Sequence, residues 1–372
     1  MIEDHNPCQG GGLVKIRVTL LLVLVLLLTS CGGRKTSSEA PPEPPPDPPA
    51  AEPEAPVEPE VPAGTNPLTG EPMEPEEANR RPVAVMLNNL KAALPQLGVG
   101  QADIIYEIPA EGQITRMLAV FQTLEGVGNL GSIRSTRPCY LEAALAHDAL
   151  LVHAGGSPEA YRNISAWGVD NMDGVRGSSD AEIFWRDKER RRTAGYEHSM
   201  LTSGENIRAY LDQGHFRTEY AEGYAVPQTF AEAGAPVDGG TAAEHVKLYF
   251  TRYKTGTFDY DPGTGRYMVG QYGKEYVDGS TGAQVGVANV LVLETEIHVI
   301  PGDTEGRLSV KMTGGGSGTF FCGGKSLPIR WSRENRNSPF AYTTEDGTPL
   351  ALGQGKSYIC VMDPRTSRLE WS

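Results

Sequence analysis

Eleven of the twenty-two residues from Pro41 to Pro62 are proline, and this tract confines folded structure to the stretch that follows it. Nearly all the other residues are Glu, Asp, Ala or Val, with no apolar period to bury. Such a segment stays extended, at roughly 3 Å per residue in polyproline II form.

Ahead of the tract lies a signal for export. Lys15 and Arg17 supply a positive flank, Val18 to Leu28 are apolar except for Thr19, and Leu28-Thr29-Ser30 end at Cys31. A bilayer span needs about twenty apolar residues, so the run reads as the hydrophobic region of a signal peptide. LTSC has the form of a lipobox. It predicts cleavage before Cys31, diacylation of that cysteine by palmitate-type chains, and a protein held on the extracytoplasmic side of the cell membrane. Two acyl chains anchor stably where one holds marginally. Residues 1–13 are acidic and precede the positive flank, which suggests a translation start at Val14.

The formal net charge of −14 resides mostly in the tether: residues 31–78 carry eleven acids against Arg34 and Lys35, which is −9 and leaves −5 for the remainder. Nucleic acid and anionic lipid need a basic footprint, so neither is an expected partner. A stalk of one sign repels itself and stands the folded part off the membrane.

The organisation expected is a signal at 1–30, a tether at 31–65, an α/β layer domain at 66–226, a linker at 227–243 and a smaller, mostly β domain at 244–372. In the first domain PVAVML, ADIIYEI, ITRMLAVFQ and ALLVHA read as strands, while LEAALAHDA, SPEAYRNISAW and SGENIRAYLDQ read as helices. Ser157 and Ser203 sit in N-cap positions for the last two. Alternation of this kind argues for an α/β layer. Beyond the linker, short alternating runs are divided by turn signals at Asp261-Pro262-Gly263, Asp278-Gly279, Gly314-Gly315-Gly316 and Asp346-Gly347. Cys139, Cys322 and Cys360 remain after cleavage, an odd number. Cys322 and Cys360 either form a disulfide or are two separate buried thiols, since spacing alone does not fix bridge geometry.

The stretches NPLTG (Asn66 to Gly70), RPVAVMLNN, QADIIYEIPAEGQITRMLAVFQ, GSIRSTRPCYLE and LVHAGGSPEAY resemble the YerB-like bacterial lipoproteins. FDYDPGTGRY, TGAQVGVANVLVL and the tract from Gly347 to Cys360 resemble that family's C-terminal part. The resemblance implies a lipid anchor and a two-part ectodomain with no established activity. It also implies Pro-His-Asn before the Thr-Ser of Thr202-Ser203, where this chain keeps only His198.

Chemistry is concentrated in the first domain. Arg134 and Arg137 flank two hydroxyls ahead of Pro138, a residue suited to the first helical position. Guanidinium groups beside a helix N-terminus make an anion site, unless Glu107, Glu111 or Asp173 neutralises them. His153-Ala154-Gly155-Gly156-Ser157 ends a strand and opens a helix, where glycines let backbone approach a ligand. Arg134, Arg137, His153, Gly155, Gly156 and Ser157 are therefore the candidate anion pocket. Glu107, Glu111, Arg116, Asp173, Trp185, Arg186 and His198 are possible accessories: the acids as salt-bridge partners or as an acid/base pair, Trp185 as core or as a sugar-stacking surface.

No HExxH, CxxC, EF-hand loop or GxSxG elbow occurs, so neither metal nor cofactor is expected. Two classes of function stay open. One is a non-catalytic envelope module that binds a wall polymer or an envelope protein. The other is an enzyme acting on a phosphate-linked envelope polymer, by distant analogy with the LytR-CpsA-Psr transferases.

Overall fold

The computed structural model describes residues 64–177, 180–231 and 239–372. The signal, Cys31 and most of the proline tether lie outside them. Residues 60–372 group as one compact unit, and the fold is mostly β.

Its frame is an eleven-stranded sheet. From one side its strands run Thr241–Ala242, Lys325–Arg333, Gly314–Cys322, Asn289–Glu294, Ser357–Met362, Ile104–Ala110, Ile114–Phe121, Val83–Asn88, Leu150–His153 and Asn171–Asp173, with Ala341–Thr344 paired to Lys325–Arg333. Both sequence halves contribute. The join is Ser357–Met362, which pairs in parallel with Asn289–Glu294 on one flank and with Ile104–Ala110 on the other. The expected boundary at 227–243 therefore does not separate two sheets. Thr229–Ala231 pairs with Ala351–Gly353, Thr241–Ala242 joins the main sheet, and residues 232–238 are outside the described set.

Continuous apolar runs form these central strands because both faces are covered. Val83, Val85, Leu87, Ile105, Met117 and Ala119 face a core shared with Val246, Leu248, Phe258 and Val269 of a second, six-stranded sheet. Ala84, Met86, Ile108, Leu118 and Val120 face the opposite way, onto Tyr140, Leu141 and Ala144 of the Pro138–Leu145 helix. Each large aliphatic or aromatic side chain buried in this way contributes roughly 1.5–3 kcal/mol.

Strand and helix alternate at one edge of the sheet only. Leu150–His153 runs parallel to Val83–Asn88, and the Pro158–Trp167 helix crosses over to Asn171–Asp173, again parallel. Ser157 and Ser203 cap their helices as expected, accepting from the N–H groups of Ala160 and Asn206. Val83–Asn88 and Ile104–Ala110 both pair antiparallel with Ile114–Phe121 between them, so the N-terminal half is a mixed sheet with helices at one edge rather than a regular α/β alternation.

One local expectation is corrected, and the choice left open for Cys322 and Cys360 falls to separate buried thiols. Gly314–Gly316 is no turn; it begins the long strand Gly314–Cys322. A Cβ on Gly316 or Gly318 would lie 2.4 or 2.6 Å from the carbonyl oxygens of Glu294 and Val292, so these glycines serve close strand approach. The Cys322–Cys360 bridge is absent too. Their strands flank Asn289–Glu294 on opposite sides, about 9–10 Å apart at normal strand spacing, beyond the reach of a disulfide. The two thiols also belong to the cores on opposite faces of the sheet.

Candidate functional site

The parallel strands Val83–Asn88, Leu150–His153 and Asn171–Asp173 end at a common edge, and the segment carrying the arginines is laid across it by backbone bonds. Ile133 N–H donates to Met200 O (2.8 Å), Arg134 N–H to Met86 O (3.0 Å), Ala154 N–H to Arg134 O (3.1 Å) and Thr136 N–H to Gly155 O (2.9 Å). The fold thus gathers Arg134, Arg137, His153, Gly155, Gly156 and Ser157. Gly155 has φ +82°, where glycine is favoured, and a Cβ there would approach Ser135 Oγ.

Acidic side chains of the protein occupy this edge. Glu111 takes Arg137 through Nε at 3.0 Å and again through Nη2, and takes Arg116 Nη2 at 2.8 Å. Burial alone would push the Glu111 carboxyl up, but the Arg137 hydrogen bond and the charges of Arg116 and Arg137 overcome it and hold the group down at about 2. Burial, then the neighbouring Arg137 charge, lowers Arg116 to about 10. Arg134 pairs with Glu197 at 3.1 Å. Asp173 accepts from Gly155 N–H at 2.7 Å, from Val175 N–H at 2.9 Å and from the Tyr161 hydroxyl at 2.7 Å. A carboxylate of the chain itself therefore sits where the strand-to-helix junction could have cradled an anion.

His153 is buried with both ring nitrogens engaged, by Gly155 O at 2.8 Å and Asn171 Oδ1 at 3.0 Å. His198 Nδ1 accepts from Asn88 Nδ2 at 2.8 Å, and burial pushes its pKa below the usual histidine value. Trp185 and Arg186 form a short strand against Met200–Leu201, half-buried, with Arg186 over the Tyr196 ring at 3.6 Å. Glu107 does not belong here. It is wholly buried on the opposite face of the sheet and cannot form an acid/base pair with Glu111. Sequence reasoning missed Tyr161, Asn171 and Glu197; of these only Glu197 carried a hint, as the neighbour of His198.

Beside the arginine clamp lies an open groove of about 510 Å³. Its walls include Pro109, Glu111, Phe250, Arg252, Ile297 and Leu308, drawn from both halves of the chain. Glu111 therefore faces both ways: its carboxylate is held by two arginines, and its residue lines the groove. Glu111, Arg116 and Arg137 engage one another, while Arg116 Nε and Arg134 Nε have no hydrogen-bond partner, and His298, Thr366 and Ser367 also line the groove.

A chain with these features can be placed among known proteins. Residues 68–217 match the N-terminal domain, and residues 246–359 the C-terminal domain, of a family described as "Protein of unknown function (DUF3048)". The chain belongs to this YerB-like family. It is 30% identical over 296 residues, 80% of this chain and 85% of the other, to the Bacillus subtilis (strain 168) protein named "Putative lipoprotein YerB". The crystal structure of Bacillus subtilis YerB superposes with a TM-score of 0.70 at 28% identity, covering 82% of this chain and 99% of that one. Among the described residues no helix is long and apolar enough to cross a membrane.

Proposed function

We propose that this protein is a lipid-anchored binding module on the extracytoplasmic face of the cell membrane, and that its groove takes a segment of an anionic wall polymer. The supporting observation is the groove wall itself: Arg252 stands there among apolar side chains, and its one acid, Glu111, is already neutralised from behind by Arg116 and Arg137. That leaves a positive surplus beside apolar surface, suited to a polymer whose phosphates alternate with short carbon units.

The soluble chain starting after Cys31 should bind a glycerol-phosphate polymer, measured calorimetrically, with affinity that falls as salt rises. Arg252→Glu should weaken that binding at least about tenfold, a loss of about 1.4 kcal/mol. Equal binding of a neutral wall glycan, or an unchanged affinity in the variant, overturns the charge argument. For the anchor, Cys31→Ala should release the protein from membranes; a variant that fractionates with membranes as before refutes lipidation.

A further inference from the structure

Between the two sheets, in an otherwise apolar layer, sits a closed group of polar side chains. Glu107 is fully buried and Lys254 is 1% exposed. Lys254 Nζ lies 3.3 Å from Glu107 Oε1, and Asn89 Nδ2 donates to that same oxygen at 2.9 Å. Thr115 Oγ1 donates to it as well, at 2.6 Å, while Glu107 Oε2 accepts from the Tyr358 hydroxyl at 2.5 Å and from Gln271 Nε2 at 3.0 Å. The Tyr272 ring covers the amine, its centroid 4.3 Å from Nζ.

Three atoms in this group lack hydrogen-bond partners, Lys254 Nζ, Asn89 Oδ1 and Gln271 Oε1, and the first two stand out. Lys254 Nζ makes no well-aligned hydrogen bond despite three donors, and Asn89 Oδ1 has no donor. An ammonium left so poorly satisfied in a dry interior is costly. So is an amide oxygen without a donor. Yet one carboxylate oxygen touches both the lysine amine and the leaving nitrogen of the asparagine amide.

We infer that Lys254 and Asn89 are joined by an intramolecular amide bond, formed autocatalytically with Glu107 as proton carrier. The Lys254 Nζ lone pair attacks Asn89 Cγ; Glu107 accepts the proton lost by Nζ and delivers it to Nδ2. The Cγ–Nδ2 bond breaks, the Nζ–Cγ bond forms, and one ammonia leaves. Nothing is oxidised or reduced, and Glu107 returns to its starting state. Attack needs a neutral amine. Burial pushes the Lys254 pKa below the usual lysine range, with the Glu107 charge opposing it. Enclosure on one oxygen supplies the proximity that a free lysine and amide in water lack. The product also replaces the poorly satisfied ammonium with a neutral amide. Asn89 follows the Val83–Asn88 strand of the N-terminal half and Lys254 opens the Lys254–Asp261 strand of the C-terminal half. The bond would staple one sheet to the other.

The test is a tryptic digest of the wild-type protein read by mass spectrometry. The linked species should join residues 81–91 to residues 253–266, with no cleavage after Lys254, at the summed peptide masses less one ammonia. Separate peptides, with cleavage after Lys254, would overturn the inference outright. In Glu107→Gln, whose fold is checked by near-ultraviolet circular dichroism, the linked species should vanish. Linkage at the wild-type level in a folded variant would remove Glu107 from the chemistry. A misfolded variant still leaves the wild-type digest to decide.

Discussion

Glu111 and Asp103 carry opposite pH dependences for opposite physical reasons. Glu111, held at about 2 by its two arginines against the pull of burial, contributes stability that is present above its ordinary value of 4.5 and is lost as pH falls toward 2. Asp103 is raised to about 6, chiefly by burial and only partly offset by the Gln122 N–H and the Asn66 side chain. Its contribution is full below 3.8 and disappears as pH rises through 6. Melting temperature in Asp103→Asn should therefore be flatter than wild type between about pH 4 and about pH 7; parallel curves would show that Asp103 titrates elsewhere. Arg137→Ala breaks one arm of the clamp and should lower stability by about 2–3 kcal/mol in urea titration, since it removes two charge-assisted hydrogen bonds. A loss of a few tenths would mean the arginine is held for a ligand instead. The sequence leaves these arginines either open to an anion or neutralised by Glu107, Glu111 or Asp173; the fold brings Glu111 to Arg137 and Arg116.

At the scale of elements, glycine placement gives the sharpest contrast. A Cβ on Gly316 would collide with Glu294 O and the Trp331 ring nitrogen, whereas one on Gly128 meets nothing within 4 Å. Gly316→Ala should cost about 1–3 kcal/mol as overpacking, and Gly128→Ala should stay within about 0.5 kcal/mol. Similar melting temperatures for the two would contradict the strand packing described. The same glycines show why legibility in the sequence was uneven. Strand and helix positions in the N-terminal half were readable because period and caps are local: Val83–Asn88, Leu150–His153, Pro158–Trp167 and Gly204–Leu211 all fall within the runs that suggested them or overlap them closely. Three consecutive glycines read as a turn, because the carbonyls crowding Gly315 and Gly316, Trp331 O and Glu294 O, belong to strands 16 and 22 residues away. The candidate edge was legible as a meeting of the Arg134–Ser157 segments. Of the acids that fill it, Glu111 and Asp173 were legible only as candidates and Glu197 only as the neighbour of His198, since pairing of Arg134 with Glu197 and of Arg137 with Glu111 spans 63 and 26 residues.

For the whole molecule, the eleven-stranded sheet makes the two family segments interdependent. Residues 66–226 alone would expose the outer edge of Ile104–Ala110, which natively pairs with Ser357–Met362. They would also uncover apolar side chains that natively face Val246, Leu248 and Phe258. Expressed separately, neither half should show a cooperative thermal transition, while co-expression should restore one. A sharp transition for 66–226 on its own would mean that the sheet is divisible.

Ser357–Met362 lies among the last residues of the chain and yet in the middle of the sheet. For a polypeptide threaded outward from its N-terminus, the central slot stays empty until almost every residue has crossed. The sheet must therefore remain open until that strand is made, its neighbouring edges free to capture other strands. A truncation ahead of Ser357 would forfeit the sheet rather than trim it.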